Sequence, residues 1–238
     1  MATEVDDDST TESRSGPGGF RVSTILAGAV GVLLLVLLIG VLLSTGGTEK
    51  PPPSAAPPAP APSAPSGDEG STEIPQTAPP GVSWQLYHSV ALPVSQTAGP
   101  RQITDSTATG YAHTPTGALL AGAQIQYRQL LAPNWQQVSA QQVMPGPGRD
   151  IFVQGRSQMG QVEPAPGELA QLSGFRFINY SPQMATIQYV SRTVAGAQTV
   201  TTSTLQWDGG DWKLALPAGP STAQPLTSMS GVVPWGGV

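Results

Sequence analysis

The sequence predicts an α+β domain carried by a single N-terminal transmembrane helix, and three observations lead to this prediction. An uncharged apolar run extends from Val22 to Leu43, and a proline-rich stretch follows it. After that stretch, two segments with the helical 3.6-residue period come before a series of segments with the two-residue period of strands. Helices followed by strands indicate helices packed on one curved antiparallel sheet.

Residues 1–20 are predicted to be a disordered cytoplasmic tail. The stretch contains Glu4, Asp6, Asp7, Asp8 and Glu12 and almost no apolar residue that could build a core. A docking segment for a cytoplasmic partner is the alternative.

Residues 21–44 contain the predicted transmembrane helix. At about 1.5 Å per residue, the apolar run spans the roughly 30 Å hydrocarbon core of a bilayer. A cleaved signal peptide fits less well, because its apolar region usually has about 7–15 residues and ends at a small-residue cleavage site. Arg14 and Arg21 precede the run and Lys50 follows it. This charge bias predicts a single-pass protein of the cell membrane, with a cytoplasmic N-terminus and an extracellular C-terminal domain.

Residues 45–81 form a predicted linker rich in proline and alanine. The stretch PPPSAAPPAPAPSAP at residues 51–65 favours the extended polyproline II conformation. About thirty such residues could span up to about 90 Å, a length that suits the crossing of a cell-wall layer. A ligand for proline-recognising domains is the alternative.

The predicted exported domain occupies residues 82–217 and begins with an extended segment, WQLYHSVALPVS. Trp84, Leu86 and His88 fall on its apolar side, and Pro93 ends it. A helix is predicted over residues 113–131, with Thr114 as its N-cap and Pro115 at its first position.

Further along, a second helical segment starts at Asn134 and stops before Pro145, with Trp135 and Val138 facing inward. Residues 145–150 are expected to interrupt the chain, and residues 166–174 to add one short helical turn.

Three strand patterns, at residues 174–180, 185–194 and 199–207, close the domain. The pair Gly209-Gly210 joins the last of them to the strand DWKLALP in a hairpin, with Trp212 and Leu214 on its buried face. The remaining residues, 218–238, form a C-terminal tail, and we expect its segment Val232–Trp235 to dock on the domain.

Composition argues against several classes of protein. The chain has 10 Lys and Arg against 15 Asp and Glu, and no cluster of basic residues with interleaved aromatics, so we expect no nucleic-acid partner. Cysteine is absent, which removes thiolate metal sites, disulfides and thiol nucleophiles.

The side chains that could carry catalysis are few, and four of the six have a simple structural explanation. They are His88, His113, Asp105, Asp150, Asp208 and Asp211. His88 is expected to be a satisfied, partly buried residue of its strand, and His113 to pack against or cap the first helical turn. Asp208 and Asp211 flank the Gly-Gly turn, which is a usual place for aspartate in a hairpin. We therefore predict no catalytic, cofactor-binding or metal-binding residue, no cofactor, and no enzymatic activity.

Five tryptophans offer one alternative, a sugar-binding surface. They are Trp84, Trp135, Trp207, Trp212 and Trp235. Packing in the core and in the hairpin explains at least three of them more simply.

The order helix, helix, then antiparallel strands, closed by LQWDGGDWKLALP, resembles the nuclear-transport-factor-two-like superfamily, whose fold is a cystatin-like cone. More narrowly, GVSWQLYHSVALPVSQTAGP, GYAHTPTGALLAGAQ and DWKLALP after one membrane span resemble an uncharacterised group of actinobacterial membrane proteins. That group is associated with integrative conjugative elements and phages, and the resemblance covers residues 81–217. It supplies no catalytic residue.

These observations predict a membrane-anchored, non-enzymatic accessory or scaffold protein whose exported domain binds another protein. The resemblance implies membrane, secretion or conjugation proteins as its partners. A module that binds cell-wall polymer is the first alternative, and a cone that binds or converts a small ligand is the second.

Overall fold

The computed structural model describes residues 72–165, 167–219 and 223–237. Within them the chain is a mixed α+β fold with antiparallel sheets, as predicted, and it has three helices. The predicted tail at 1–20, the predicted transmembrane helix at 21–44 and linker residues 45–71 lie outside the described residues. In the described part, no helix is both long enough and apolar enough to cross a membrane.

The described residues contain three helices and ten strands. The helices are α1 (Pro115–Leu131), α2 (Trp135–Gln142) and α3 (Pro147–Ser157). The strands are β1 (Val82–Tyr87), β2 (Val90–Ser95), β3 (Gln102–Ile103), β4 (Ala108–Thr109), β5 (Gln171–Ser181), β6 (Met184–Arg192), β7 (Gln198–Asp208), β8 (Asp211–Ala215), β9 (Gln224–Pro225) and β10 (Val233–Pro234).

The largest sheet has the strand order β10-β5-β6-β7-β8, with β9 paired to β7 as well. Its inner face packs on α1 and carries buried side chains such as Phe175, Ile187, Leu205 and Trp212. Two register shifts between β5 and β6, each of which inserts an extra residue, interrupt this sheet. Bulges of this kind bend a strand and increase its twist.

Helix α1 begins as its sequence predicts. The side-chain oxygen of Thr114 accepts a hydrogen bond from the backbone N–H of Gly117 at 3.1 Å, and Pro115 occupies the first turn, where its missing N–H does no harm. Predicted helix α2 is also confirmed, with Trp135 and Val138 buried. The strands β5 to β8 and the Gly-Gly hairpin are confirmed as well.

The first extended segment is different from the prediction. It is a hairpin of two strands, β1 and β2, which turn at His88 and Ser89. His88 has a positive φ of 51° and is exposed, so it is neither in a strand nor buried. Pro93 does not end the segment but lies inside β2.

At the start of β2, on the edge where no further strand pairs with it, a side chain makes hydrogen bonds to the backbone. The amide of Gln171 accepts from the N–H of Ala91 at 3.1 Å and donates to the carbonyl oxygen of Ser89 at 2.8 Å. One glutamine thus makes both hydrogen bonds that a neighbouring strand residue would make.

Two local predictions after α2 are wrong. Helix α3 begins within residues 145–150, which the proline and glycine content had predicted as a break; Pro147 stands in its first turn, where proline is tolerated. The buried Arg156 supports this helix by donating to the carbonyl oxygen of Leu130 at 3.2 Å. Where a helical turn was expected at 166–174, strand β5 begins at Gln171.

The C-terminal tail adds two short strands to the large sheet. Its strand β9 pairs with β7, and its strand β10 pairs with β5. Between them, the carbonyl oxygen of Ser230 accepts from the guanidinium of Arg176 at 2.7 Å. Trp235, directly after β10, is only 5% exposed.

Candidate binding groove

An open groove of about 550 Å³ lies where β1 meets the C-terminal tail. Its volume is within the range of roughly 300–1,000 Å³ that is usual for ligand sites. The lining residues come from the start of the described chain, from the ends of β5 to β7, and from the tail. They are Ala78, Pro79, Val82, Trp84, Ser173, Arg192, Gln198, Met229, Pro234, Trp235 and Gly236.

Two tryptophans from opposite ends of the domain form the aromatic part of the groove. The rings of Trp84 and Trp235 have centroids 4.9 Å apart and planes inclined at 58°. Phe175 supports Trp235 from the core in an edge-to-face contact at 5.4 Å. Such pairs add about 0.5–1.5 kcal/mol to the free energy gained by burial of their surface.

Backbone pairing fixes the position of Trp235. Its N–H donates to the carbonyl oxygen of Ser173 at 3.1 Å, directly after β10 pairs with β5. A Cβ atom on the following Gly236 would lie 2.4 Å from the carbonyl oxygen of Leu172, and one on Gly237 would lie 2.7 Å from the Trp84 ring. Only glycine lets the tail approach this closely.

The residues of the groove also include hydrogen-bond donors that have no acceptor among the described residues. Neither indole N–H of Trp84 and Trp235 donates to an acceptor in the described part of the chain. Arg192 is exposed and makes no ion pair with any described residue. The groove therefore combines an aromatic surface with free donors and one positive charge, which suits a chain with carbonyl oxygens and a negative group.

The structure places the two candidate histidines apart. His88 lies in the exposed turn of the first hairpin, where its ring contacts that of Tyr87 edge-on at 4.7 Å. His113 lies beside the β7–β8 hairpin and stacks on Trp207 at 3.9 Å with nearly parallel planes. A ring nitrogen of His113 also makes a hydrogen bond to the carbonyl oxygen of Pro182. His113 thus links the start of α1 to the large sheet.

The four candidate aspartates do not converge either. Asp105 and Asp150 are exposed, and Asp208 forms an ion pair with Lys213 at 2.5 Å. The carboxylate of Asp211 instead accepts from the N–H groups of Gly110 at 2.8 Å and Tyr111 at 3.0 Å. Across residues 72–165, 167–219 and 223–237, no group of three His, Cys, Asp or Glu side chains could hold a metal ion.

One buried charge lies outside the groove. Arg128 is 3% exposed; its guanidinium donates to Gln124 at 2.9 Å and to the carbonyl oxygen of Thr104 at 3.0 Å, and it lies over the Tyr87 ring. Burial lowers the pKa of Arg128, because a low-dielectric environment disfavours the charged form. These contacts fasten the β3–β4 turn to α1.

Sequence reasoning identified the aromatic residues of the groove but not the groove itself. Two of the five tryptophans meet there, whereas Trp207 and Trp212 contact each other at 5.4 Å and Trp135 contacts Phe152. The contributions of Met229 and Arg192 carry no signal in the sequence, because they depend on how the tail crosses the sheet.

The fold and the groove define a small α+β domain with an open, aromatic-walled surface site. The chain belongs to the family described as a domain of unknown function, DUF8175, whose model matches residues 47–234. That range takes in the proline-rich stretch together with nearly all of the groove. Neither the curated proteins nor the solved structures gave a match.

Proposed function

We propose that this chain is a membrane-anchored, non-enzymatic accessory protein that presents an extracytoplasmic protein-binding domain. The groove between β1 and the tail carries the proposal, because it joins an aromatic surface to donors that have no acceptor in the described residues. Large aromatic side chains and Arg are the residues enriched at the centres of protein interfaces.

The surface next to the groove supports the same function. Val82, Trp84 and Leu86 alternate along β1 and so lie on one face of it. Leu86 is 75% exposed, which extends the apolar surface beyond the two tryptophans. An extended peptide segment would fit along this face.

The resemblance noted in the sequence suggests the setting of this interaction. We propose a conjugative transfer or secretion assembly in an actinobacterial cell membrane, with membrane or secretion proteins as partners. The two bulges of β5 and the packing of α1 on the sheet support a cystatin-like cone as the fold.

In-cell photo-crosslinking tests the proposed function. Met229 lines the groove and is 47% exposed, whereas Met184 is 38% exposed and lies at the β5–β6 turn, which contributes nothing to the groove. A photo-reactive residue at position 229 should capture transfer or secretion subunits, and one at position 184 should not. Equal capture from both positions, or capture of no protein from position 229, would contradict the proposal.

Topology can be tested separately, because the chain contains no cysteine. With single substitutions Ser9→Cys and Ser228→Cys, a membrane-impermeant maleimide added to intact cells should label position 228 and leave position 9 unlabelled. Labelling of position 9 alone would show the opposite orientation and contradict the proposed topology.

A cell-wall-binding module is the second candidate. The tilted pair of Trp84 and Trp235 beside Arg192 and Gln198 would also suit a sugar chain, since aromatic faces and polar side chains are combined there. Pelleting of the chain with isolated wall polymer tests this function, and Trp84→Ala should abolish the pelleting. A small-ligand or enzymatic cone is the third candidate, and the core side chains that fill the space between α1 and the sheet give it no support.

A further inference from the structure

We propose that the groove recognises proline-rich segments in the polyproline II conformation, and that the chain's own segment Pro57–Pro65 is an occupant. This inference rests on the proposed function, in which the groove is the protein-binding surface. Its grounds are the groove's chemistry, the proline spacing, the charges and the tether length.

The chemistry of the groove matches a polyproline ligand. A polyproline II helix has no internal hydrogen bonds, so its carbonyl oxygens remain free to accept. Trp84 and Trp235 line the groove, and their indole N–H groups have no acceptor among the described residues. Aromatic-lined grooves are the usual site at which P-x-x-P segments dock, with proline rings lying against the aromatic rings.

The spacing of prolines in the segment fits this mode. Its sequence PPAPAPSAP contains the pairs Pro57 and Pro60, and Pro62 and Pro65, each three residues apart. Because polyproline II has three residues per turn, both members of a pair lie on one face of the helix, about 9 Å apart. The prolines at 51–53 have no partner three residues further on, since Ser54, Ala55 and Ala56 stand there.

The charges are complementary as well. The segment itself is uncharged, and the acidic pair Asp68 and Glu69 follows it closely. Arg192 lines the groove and has no ion-pair partner in the described part of the chain. Asp68 or Glu69 could therefore pair with Arg192 while the prolines contact the tryptophans.

The connection is long enough for the segment to reach its own groove. The segment ends at Pro65, and Ala78 already lines the groove. The described chain begins at Thr72, which lies at most about 20 Å from Ala78 because six residues separate them. At about 3.3 Å per residue, the chain from Pro65 to Thr72 can span about 23 Å, enough to turn back to the groove. A short tether gives a millimolar effective concentration, so a site with a millimolar dissociation constant would be occupied about half of the time. This tether is why we assign the occupant to the same chain.

If Pro57–Pro65 occupies the groove, an external partner must compete with it. A partner with its own proline-rich segment would have to displace Pro57–Pro65, and the displaced segment would then be free to extend. The groove would therefore couple partner binding to the distance between the domain and the predicted membrane anchor.

The test uses the full chain in lipid nanodiscs. The variant carries serine at Pro57, Pro60, Pro62 and Pro65, and the matched control carries serine at Pro51, Pro52 and Pro53. Hydrogen exchange of backbone amides is measured in Val82–Tyr87 and Met229–Gly237. The variant should exchange at least twofold faster there than the unaltered chain, and the control should not. The free peptide PPAPAPSAP should slow exchange again in the variant. In the otherwise unaltered chain, Arg192→Gln should speed exchange in the same two segments, because it removes the ion pair with Asp68 or Glu69, and the control Arg101→Gln should not.

The outcomes separate this inference from the proposed function. Identical exchange in chain and variant, with no effect of millimolar peptide, would overturn the inference even if position 229 still crosslinks to a partner. Protection that disappears when each nanodisc holds one chain would assign the occupant to a second copy and overturn the same-chain assignment. If position 229 captures no partner but the peptide protects the groove, the proline-rich recognition stands and the accessory role falls.

Discussion

The carboxylate of Asp211 accepts a hydrogen bond from the backbone N–H of Tyr111 at 3.0 Å. The same carboxylate accepts from Gly110 at 2.8 Å and from the N–H of Trp212 at 2.9 Å. An aspartate at the Gly-Gly turn therefore holds the segment before α1 against the last hairpin of the sheet. Asp208, at the other end of that turn, forms only an exposed ion pair with Lys213.

We expect Asp211→Ala to lower the free energy of unfolding by about 2–3 kcal/mol, because backbone donors of Gly110, Tyr111 and Trp212 lose a charged acceptor. Asp208→Ala is the control and should cost less than about 1 kcal/mol, as exposed ion pairs usually do. Urea unfolding followed by tryptophan fluorescence measures both values. Equal losses in the two variants would show that the carboxylate of Asp211 does not have this role.

Two buried tyrosines should respond in opposite ways to loss of their hydroxyl groups. Tyr189 donates to the carbonyl oxygen of Leu119 at 2.9 Å, whereas the hydroxyl of Tyr111 is buried without a partner in the described residues. Tyr189→Phe should therefore destabilise the domain by about 1–2 kcal/mol, and Tyr111→Phe should be neutral or stabilising. The difference between their thermal midpoints tests this, and a larger loss from Tyr111→Phe would contradict the hydrogen-bond assignment.

The same tyrosines predict a loss of stability at alkaline pH. Burial raises the pKa of Tyr111 and of Tyr189 well above the ordinary value near 10. Because the folded state disfavours the phenolate, their contribution to stability is fully present below about pH 10 and is lost as pH rises through the folded-state pKa values. Absorbance titration at 295 nm should show two tyrosines that ionise only with unfolding. Ionisation of all five at about pH 10 in the folded chain would be the contrary result.

Gly122 in α1 should not tolerate alanine, although alanine favours helices by about 1 kcal/mol over glycine. A Cβ atom there would lie 2.1 Å from the hydroxyl oxygen of Tyr189 and 3.1 Å from a methyl carbon of Leu205. We expect Gly122→Ala to destabilise by about 1–3 kcal/mol through overpacking. Gly160→Ala, whose Cβ would meet nothing within 4 Å, is the neutral control. A smaller penalty for Gly122→Ala in the Tyr189→Phe background would confirm that the hydroxyl is the obstacle.

The sequence predicts those elements whose signals are local. Helix α1 follows from Thr114 and Pro115 at its start, and the β7–β8 hairpin follows from adjacent glycines that accept positive φ angles. The turn of the first hairpin uses His88 at positive φ, a conformation uncommon for residues other than glycine. Helix α3 depends on a contact between Arg156 and the carbonyl oxygen of Leu130, which no local pattern reveals.

The candidate site is less predictable for the same reason. The tryptophans and the docking of the tail could be predicted one by one, but the meeting of Trp84 with Trp235 depends on the pairing of β10 with β5. Arg192 and Met229 become groove residues only through that pairing. Residues that carry no pattern of their own cannot be assigned to a site until the strand order is known.

The groove's two walls are also made at different times during synthesis. The ribosome synthesises Ala78 and Trp84 before any strand of the large sheet, and it synthesises Met229 and Trp235 after β8. Because long loops must close before such distant contacts form, this pairing is among the slow steps of folding. A nascent chain that has assembled α1 and β5 to β8 lacks Met229, Pro234, Trp235 and Gly236, so the groove is complete only when the C-terminal tail has been made.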